Sequence, residues 1–174
     1  MSRKLVLLLI AGALLLLLAV PVTAFGIVPL FVRSTVHEGA PSSRASPASV
    51  VAGQASPSPG ATPDTVAVLA AGSLRKVDPV HYGSGRVTIL AVGANRFLRF
   101  ENVDIAGAPN MFVYLSDHDD GQPGSFTNLG PLRATTGSFN YQLPDGLDLG
   151  GVRSVVVWCR AFSVTVTYAV LAAA

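Results

Sequence analysis

Hydrophobic and polar positions divide the chain into three parts. Residues 5–32 are almost continuously apolar, and the only charged side chains before them are Arg3 and Lys4. Residues 33–64 are rich in Pro, Ser, Ala and Gly and show no hydrophobic period. Residues 65–174 contain short runs of β-branched and aromatic residues separated by turn-forming residues. The pattern therefore predicts one folded unit, residues 65–174, behind two N-terminal segments of different character.

The runs in the folded unit predict β-strands. They are RVTILAV (86–92), RFLRFENV (96–103), NMFVYLS (110–116), SFNYQL (138–143), RSVVVWC (153–159) and FSVTVTYAVL (162–171). Within RFLRFENV, strict alternation places Leu98, Phe100 and Asn102 on one face. No window has apolar residues at helical spacing over three turns. The sequence therefore predicts an all-β domain, an antiparallel β-sandwich or jelly-roll-like fold.

The apolar segment predicts a membrane anchor. Residues 5–32 exceed the roughly 20 residues that a helix needs to span a bilayer, and Arg3 and Lys4 favour a cytoplasmic N-terminus. We expect a retained single-pass transmembrane helix within residues 1–32, in the cell membrane. The alternative is a cleaved signal peptide, with Val22-Thr23-Ala24 as the cleavage site. Both interpretations place the C-terminal domain outside the cytoplasm.

Residues 33–64 are predicted to be a disordered linker. Pro, Ser, Ala and Gly dominate the segment, which leaves too little apolar surface to form a core. Pro57-Ser58-Pro59 stiffens part of it. The expected role of this linker is to hold the folded domain off the membrane.

The charge of the folded unit restricts the classes of partner. The whole chain has a formal net charge of +2, but residues 65–174 carry eight basic and eight acidic side chains. A neutral domain gives no electrostatic attraction for nucleic acid or for a strongly charged substrate. The expected partners are the membrane, through the N-terminal helix, and an unidentified redox or cell-surface protein.

Cys159 is the only cysteine, and it follows the only tryptophan, Trp158. In a strand, Cys159 shares a face with Val155 and Val157, whereas Trp158 shares the other face with Arg160. Because Arg160 indicates that its own face reaches water, Cys159 is predicted to point inward. Three interpretations stay open: a packed core thiol, a redox thiol or ligand, and a thiol that bonds to a partner. The last two follow because an unpaired cysteine outside the cytoplasm is open to oxidation.

Other segments offer further candidates. His81 lies at a turn before a strand and is either a polar loop residue or a site residue. Asp117 and Asp119, in SDHDDGQPG (116–124), suit a hard cation, but the loop lacks the other acids of an EF-hand, so no metal site is predicted. Gly-x-Ser-x-Gly, His-Glu-x-x-His and the phosphate-binding loop are absent from the sequence. The sequence leaves open whether the protein is an enzyme.

The order of motifs resembles the DM-thirteen domain family, which also occurs in Skeletor-type proteins. The similar segments are Gly72-Ser73-Leu74 with His81 and Gly85, GAPNMFVYLS (107–116), LGPLR (129–133) with Gly137, Tyr141 and Pro144, and VVVWCRAFSV (155–164). The chain is identified as a membrane-anchored, bacterial-type member. Two positions depart from the family pattern, because Asn110 stands where Asp is usual and Leu74 where an aromatic residue is usual.

The resemblance implies an electron-transfer domain in which Cys159 is a redox thiol or a ligand to a group such as haem. Haem iron accepts His, Cys thiolate or Met as axial ligands, so His81 and Cys159 would form a cofactor-binding pair, with Met111 as a weaker candidate. The sequence does not require haem, and the absence of Cys-x-x-Cys-His excludes covalent c-type attachment. The predicted function is a membrane-tethered, extracytoplasmic electron-transfer role centred on Cys159. The alternative is a cell-surface binding or structural β-sandwich module in which Cys159 only packs.

Overall fold

The computed structural model describes residues 33–42 and 65–174, which form β-strands in two sheets. The strands are β1 (Thr35–His37), β2 (Val66–Ser73), β3 (Gly83–Val92), β4 (Asn95–Ile105), β5 (Met111–Ser116), β6 (Phe126–Pro131), β7 (Thr136–Gln142), β8 (Ser154–Cys159), β9 (Val164–Val170) and β10 (Ala172–Ala173). The predicted all-β class is confirmed for these residues. Within these ranges there is no helix long and apolar enough to cross a bilayer. The predicted membrane segment, residues 1–32, and residues 43–64 lie outside the described residues.

The two sheets pack face to face as a β-sandwich. One sheet has the strand order β1-β7-β4-β3-β2-β10, and the other has the order β6-β5-β8-β9. All pairings are antiparallel except β1 with β7, which is parallel and places Thr35 opposite Thr136. Two short connections, residues 106–110 and 132–135, cross between the sheets at one end of the sandwich. Cys159 terminates β8 at this same end, because it pairs with Met111, the first residue of β5.

Aromatic and β-branched side chains fill the space between the sheets. Phe100 and Phe139 stack with their ring centroids 4.9 Å apart, and both are fully buried. Val113 and Val157 of the four-stranded sheet belong to the same core cluster as these two rings and are also fully buried. Burying a side chain of this size contributes about 1.5–3 kcal/mol to stability. These contacts make both sheets parts of one core.

The predicted strands correspond to β3, β4, β5, β7, β8 and β9, and the strands that were not predicted are β1, β2, β6 and β10. The strand β2 (VAVLAAGS) is rich in Ala and Gly, which have low strand propensity. The strand β6 (FTNLGP) contains Asn, Gly and Pro and lies at a sheet edge. Their pairing partners, and not their own residues, determine that they form strands.

A β-bulge in β4 changes which side chains face the core. The register with β7 shifts between Phe100 and Val103, and Asn102 has a φ of 48°. Asn102 is consequently exposed, whereas Val103 is buried. The predicted alternation was therefore wrong at Asn102, because one extra residue in a strand reverses the faces that follow it.

The strand β1 lies inside the segment that was predicted to be a linker. It pairs with β7 at the edge of the six-stranded sheet. Glu38, the residue after β1, also binds β7, because its Oε2 accepts a hydrogen bond from the Asn140 backbone N at 2.9 Å. The prediction of a disordered linker is therefore wrong for Thr35–His37. A strand of three residues is too short to show alternation, and its partner lies about a hundred residues away in the sequence. Such pairing leaves no local signal.

Candidate functional site

Cys159 is the last residue of β8, and its side chain points into the core. Val155 and Val157 share this inner face, and all three side chains are fully buried. Trp158 lies on the opposite face and is half-buried, while Arg160 is exposed. The inward orientation predicted from alternation is confirmed.

The Cys159 thiol is closed off by the connection between β4 and β5. Its Sγ–H donates to the Pro109 carbonyl oxygen at 3.1 Å, while Met111 and Val164 are its neighbours in the sheet. The turn after β8, residues 160–163, is also bound to the connection between β4 and β5, because the Arg160 backbone N donates to the Asn110 carbonyl oxygen at 3.1 Å. A reagent or a partner therefore reaches Sγ only if residues 106–110 move away from the end of β8.

An arginine and aromatic cluster covers the outer face beside Cys159. The Arg160 guanidinium carbon lies 3.5 Å from the ring centre of Phe112, and Arg160 Nε donates to Tyr114 Oη at 2.7 Å. Phe126 stacks on Tyr114 with a centroid distance of 4.1 Å. A cation over an aromatic face contributes about 0.5–2 kcal/mol. The cluster was not predicted, because it depends on the pairing of β5 with β6 and β8.

His81 belongs to a tight turn that Asp78 organises. Asp78 Oδ1 accepts hydrogen bonds from the backbone N of Val80 at 2.8 Å and of His81 at 2.7 Å. His81 Nδ1 lies 2.6 Å from Asp78 Oδ2. The hydrogen bond from the His81 side chain is the main cause that lowers the pKa of Asp78 to about 2. This geometry gives His81 a structural role in closing the loop between β2 and β3.

His81 and Cys159 have different hydrogen-bond partners in the structure. The hydrogen bonds described above join His81 to Asp78 and Cys159 to Pro109. Cys159 has no exposed surface on which a planar cofactor could lie, and Met111 packs against the core. The residues present do not fit an iron ligated by Cys159 in this conformation. The assignment of Cys159 and His81 to a cofactor stays a prediction from the resemblance.

Comparison with protein families adds a direct result. A family model described as Electron transfer DM13 matches residues 75–171, which include His81, the connection over Cys159, and Cys159 itself. The chain belongs to this family. No curated protein and no solved structure gives a significant match to the chain.

The two departures from the family pattern fit the geometry of the DM13 domain. Asn110 has a φ of 55°, a left-handed conformation that Asn and Asp adopt more readily than other non-glycine residues. Leu74 is 7% exposed and belongs to the core. The backbone at position 110 and the packing at position 74 therefore explain why Asn and Leu are accepted there.

The acidic loop of the DM13 domain, residues 117–125, is folded back onto the outer face of the four-stranded sheet. Hydroxyl groups hold it: Ser116 Oγ donates to the Gln122 carbonyl oxygen at 2.9 Å, Ser154 Oγ to His118 O at 2.6 Å, and Thr165 Oγ1 to Gly121 O at 2.6 Å. Among the described residues no three His, Cys, Asp or Glu side chains cluster in a way that could hold a metal ion. The loop therefore acts as a cover for the sheet.

One groove on the sandwich does not include Cys159 in its lining. It has a volume of about 630 Å³ and lies between β1, β6 and β7, with Glu38, Arg133 and Tyr141 in its lining. Tyr141 Oη donates to the Pro131 carbonyl oxygen at 2.9 Å and accepts from the Arg133 backbone N at 3.0 Å. Burial raises the pKa of the Tyr141 phenol far above its usual value, so this hydroxyl stays neutral and structural. The polar groups that line the groove therefore form hydrogen bonds with one another.

Proposed function

We propose that this DM13 domain transfers electrons outside the cytoplasm, tethered to the membrane by the apolar segment 5–32, and that the redox role centres on Cys159. The match of residues 75–171 to the electron-transfer family carries this proposal. The tether is supported by an apolar run longer than a bilayer requires, preceded by Arg3 and Lys4.

The position of Cys159 sets a condition on any chemistry at the sulfur. Bond formation at Sγ requires direct contact with a partner atom, and the Pro109 carbonyl occupies the approach at 3.1 Å. Local opening of such segments occurs in folded proteins at a free energy below that of global unfolding. The redox role therefore requires residues 106–110 to separate from the end of β8, and this makes the proposal testable by thiol labelling.

The test uses the full chain, expressed with haem available and purified in detergent. The optical spectrum shows whether a chromophore is bound, and labelling of the thiol with and without denaturant shows whether Cys159 reacts in the folded state. We expect Cys159 to be labelled slowly in the folded protein. We also expect no haem band that depends on Cys159, so wild type and Cys159→Ala should have the same optical spectrum. A thiol that reacts only after unfolding, in a protein without any chromophore, would contradict the proposal.

A second candidate is a binding or structural module in which Cys159 only packs. The observation that favours it is the complete burial of Cys159 among core residues. In this case Cys159→Ser, which places a hydroxyl in an apolar site, costs roughly 1–3 kcal/mol of stability and changes nothing else. A Cys159→Ala variant that folds but loses electron-transfer activity would rule this candidate out.

A further inference from the structure

The N-terminal apolar segment is followed directly in the sequence by residues that contact the sandwich. Residue 32 is the last of the apolar run, and Arg33 is already fixed, because its Nη1 lies 2.8 Å from Asp104 Oδ1. The Ser34 carbonyl oxygen accepts hydrogen bonds from the backbone N of Thr135 and Thr136, both at 3.0 Å. The domain is therefore connected to the apolar segment directly, through an ordered residue.

Residues 43–64 do not separate the domain from the apolar segment. They connect β1 to β2, and both strands belong to the same sheet. The strand β1 runs parallel to β7 and β2 begins opposite the end of β3, so the end of β1 and the start of β2 both lie toward the end of the sandwich far from Arg33. The spacer role was predicted for residues 33–64, and it does not hold for residues 33–37, because they already pair with or contact the six-stranded sheet.

The two ends of the sandwich carry opposite charge. We call the end at Arg33 the basic end; its segments are residues 33–34, 74–82, 106–110, 132–135 and 160–163. We call the other the acidic end; its loops are residues 93–94, 117–125 and 143–153. The loops of the basic end hold five basic residues and one acidic residue: Arg33, Arg75, Lys76, Arg133, Arg160 and Asp78. Arg33 and Arg133 are paired with carboxylates of β4 and of the residue after β1, Asp104 and Glu38, both at 2.8 Å, so the excess of positive charge is carried by Arg75, Lys76 and Arg160. The acidic end has the reverse ratio: Asp117, Asp119, Asp120, Asp145, Asp148 and Arg153.

The basic end also exposes large apolar side chains. Val77 is 46% exposed, Val80 is 69% exposed and Phe162 is 61% exposed. They lie in the loop between β2 and β3 and in the turn between β8 and β9. Apolar side chains surrounded by Lys and Arg are the composition of surfaces that settle at the boundary between phospholipid headgroups and acyl chains.

We propose that the basic end of the sandwich rests on the membrane surface, with Val77, Val80 and Phe162 in the headgroup region and the neighbouring basic residues Arg75 and Lys76 on lipid phosphates. This inference rests on the membrane tether of the proposed function. Three independent observations support it: the direct connection at Arg33, the separation of charge, and the exposed apolar side chains. The acidic end then faces away from the membrane.

Trp158, the only tryptophan, provides the test, because it lies in β8 two residues before Arg160 of the basic end. The full chain is reconstituted in vesicles of phosphatidylcholine and phosphatidylglycerol that contain headgroup spin-labelled lipid. A surface of this kind lies about 5–10 Å into the headgroup region, so we expect roughly half of the Trp158 fluorescence to be quenched. In the variant Trp158→Phe with Ala94→Trp, the tryptophan moves to the exposed turn between β3 and β4 at the acidic end, and we expect little quenching.

A pair of valines with equal exposure gives a matched control. Val77 is 46% exposed at the basic end and Val68 is 47% exposed in β2. Val77→Glu should reduce the quenching of Trp158, since a carboxylate is repelled by lipid phosphates, whereas Val68→Glu should leave it unchanged. Circular dichroism establishes that both variants fold.

The outcomes separate this inference from the tether. Protein that stays on the vesicles through an alkaline wash but shows no quenching of Trp158 would overturn the inference and leave the tether in place. Release of the protein by the wash would overturn the tether and the inference with it. Equal quenching of both tryptophan positions would also overturn the inference, because it would show no preferred end.

Discussion

The two ends of the sandwich are closed in different ways. At the basic end, backbone groups make the closing contacts: the Pro109 and Asn110 carbonyls accept from Cys159 and Arg160. At the acidic end, hydroxyl side chains fasten the loop 117–125, as Ser154 Oγ does on the His118 carbonyl at 2.6 Å. The loops of one end combine an excess of positive charge with exposed Val77, Val80 and Phe162, whereas the loops of the other end carry an excess of negative charge and the exposed apolar side chains nearby, Val66, Val68 and Phe126, belong to strands.

This difference shows how a domain without net charge can still be electrically polar. A sum over the sequence cancels the charges of the two ends, and only the strand connections reveal that they are segregated. The comparison also places Cys159 at the end that we propose to face the membrane. The predictions below test how each end is held together, beginning with the largest expected effect.

Gly137 secures β1 and therefore the connection to the N-terminal segment at the basic end. It has a φ of 106°, and a Cβ there would collide with the Val36 carbonyl oxygen. We expect Gly137→Ala to cost about 2–3 kcal/mol and to release β1. Gly130→Ala is the control, because Gly130 has a φ of 105° with open space around it. Hydrogen exchange at Thr35–His37 that is equal in both variants would show that β1 is not held by this contact.

Ser154→Ala tests the closure of the acidic end. Ser154 is fully buried, and its loss leaves the His118 carbonyl without this donor, which costs roughly 1–3 kcal/mol. Ser125→Ala, at an exposed position in the same loop, should change stability by less than about 0.5 kcal/mol. Denaturant unfolding gives both values, and labelling of Cys159 should be unaffected in either variant. Faster labelling after Ser154→Ala would mean that the two ends open together.

Asn110→Val tests the closure of the basic end. A β-branched residue in the left-handed conformation is strained by about 1–2 kcal/mol, whereas Asn110→Gly keeps the turn without strain. We expect Asn110→Val to accelerate labelling of Cys159 in the folded protein by roughly tenfold, which corresponds to about 1.4 kcal/mol. If the two variants label at the same rate, opening of residues 106–110 does not control access to the thiol.

Asp78 makes the basic end sensitive to acid. Its pKa falls from the ordinary 3.8 to about 2, mainly through the hydrogen bond from His81. A lowered pKa in the folded state means that the stabilisation is complete above the unfolded value of 3.8 and is lost as the pH falls through about 2. Melting temperatures through the acid range should show this decline in the wild type and in Asp145→Asn, but not in Asp78→Asn. An identical decline in all three proteins would assign the acid sensitivity to other groups.

Local sequence pattern predicted the part of the fold that depends on alternation. The strand β8 is an example, since the inward direction of Cys159 followed from its spacing to Val155 and Val157. The same rule failed at Asn102, where a bulge in β4 interrupts the alternation. The strand β1 could not be found, because its strand character comes from pairing with β7, far along the chain.

The candidate site could be predicted only residue by residue. Cys159 and His81 were identified as candidates from the family resemblance, but their contacts depend on the fold. His81 is held by Asp78, three residues before it, and Cys159 is covered by Pro109 from another strand connection. The position of Arg160 over Phe112 likewise follows from the pairing of β5 with β8. Such tertiary contacts are absent from any single segment of the sequence.

The most direct test of the account is a titration of the full chain in mixtures of reduced and oxidised glutathione, with three proteins: wild type, Cys159→Ala and Val157→Ala. In this reaction the Cys159 thiolate attacks glutathione disulfide, forms a mixed disulfide and releases one glutathione thiolate. Val157 is a fully buried neighbour on the same face of β8, so its truncation disturbs the core without removing the sulfur. We predict a reversible redox transition in the wild type and in Val157→Ala, and none in folded Cys159→Ala. A transition that persists in Cys159→Ala would contradict the claim that the electron-transfer role of this DM13 domain centres on Cys159.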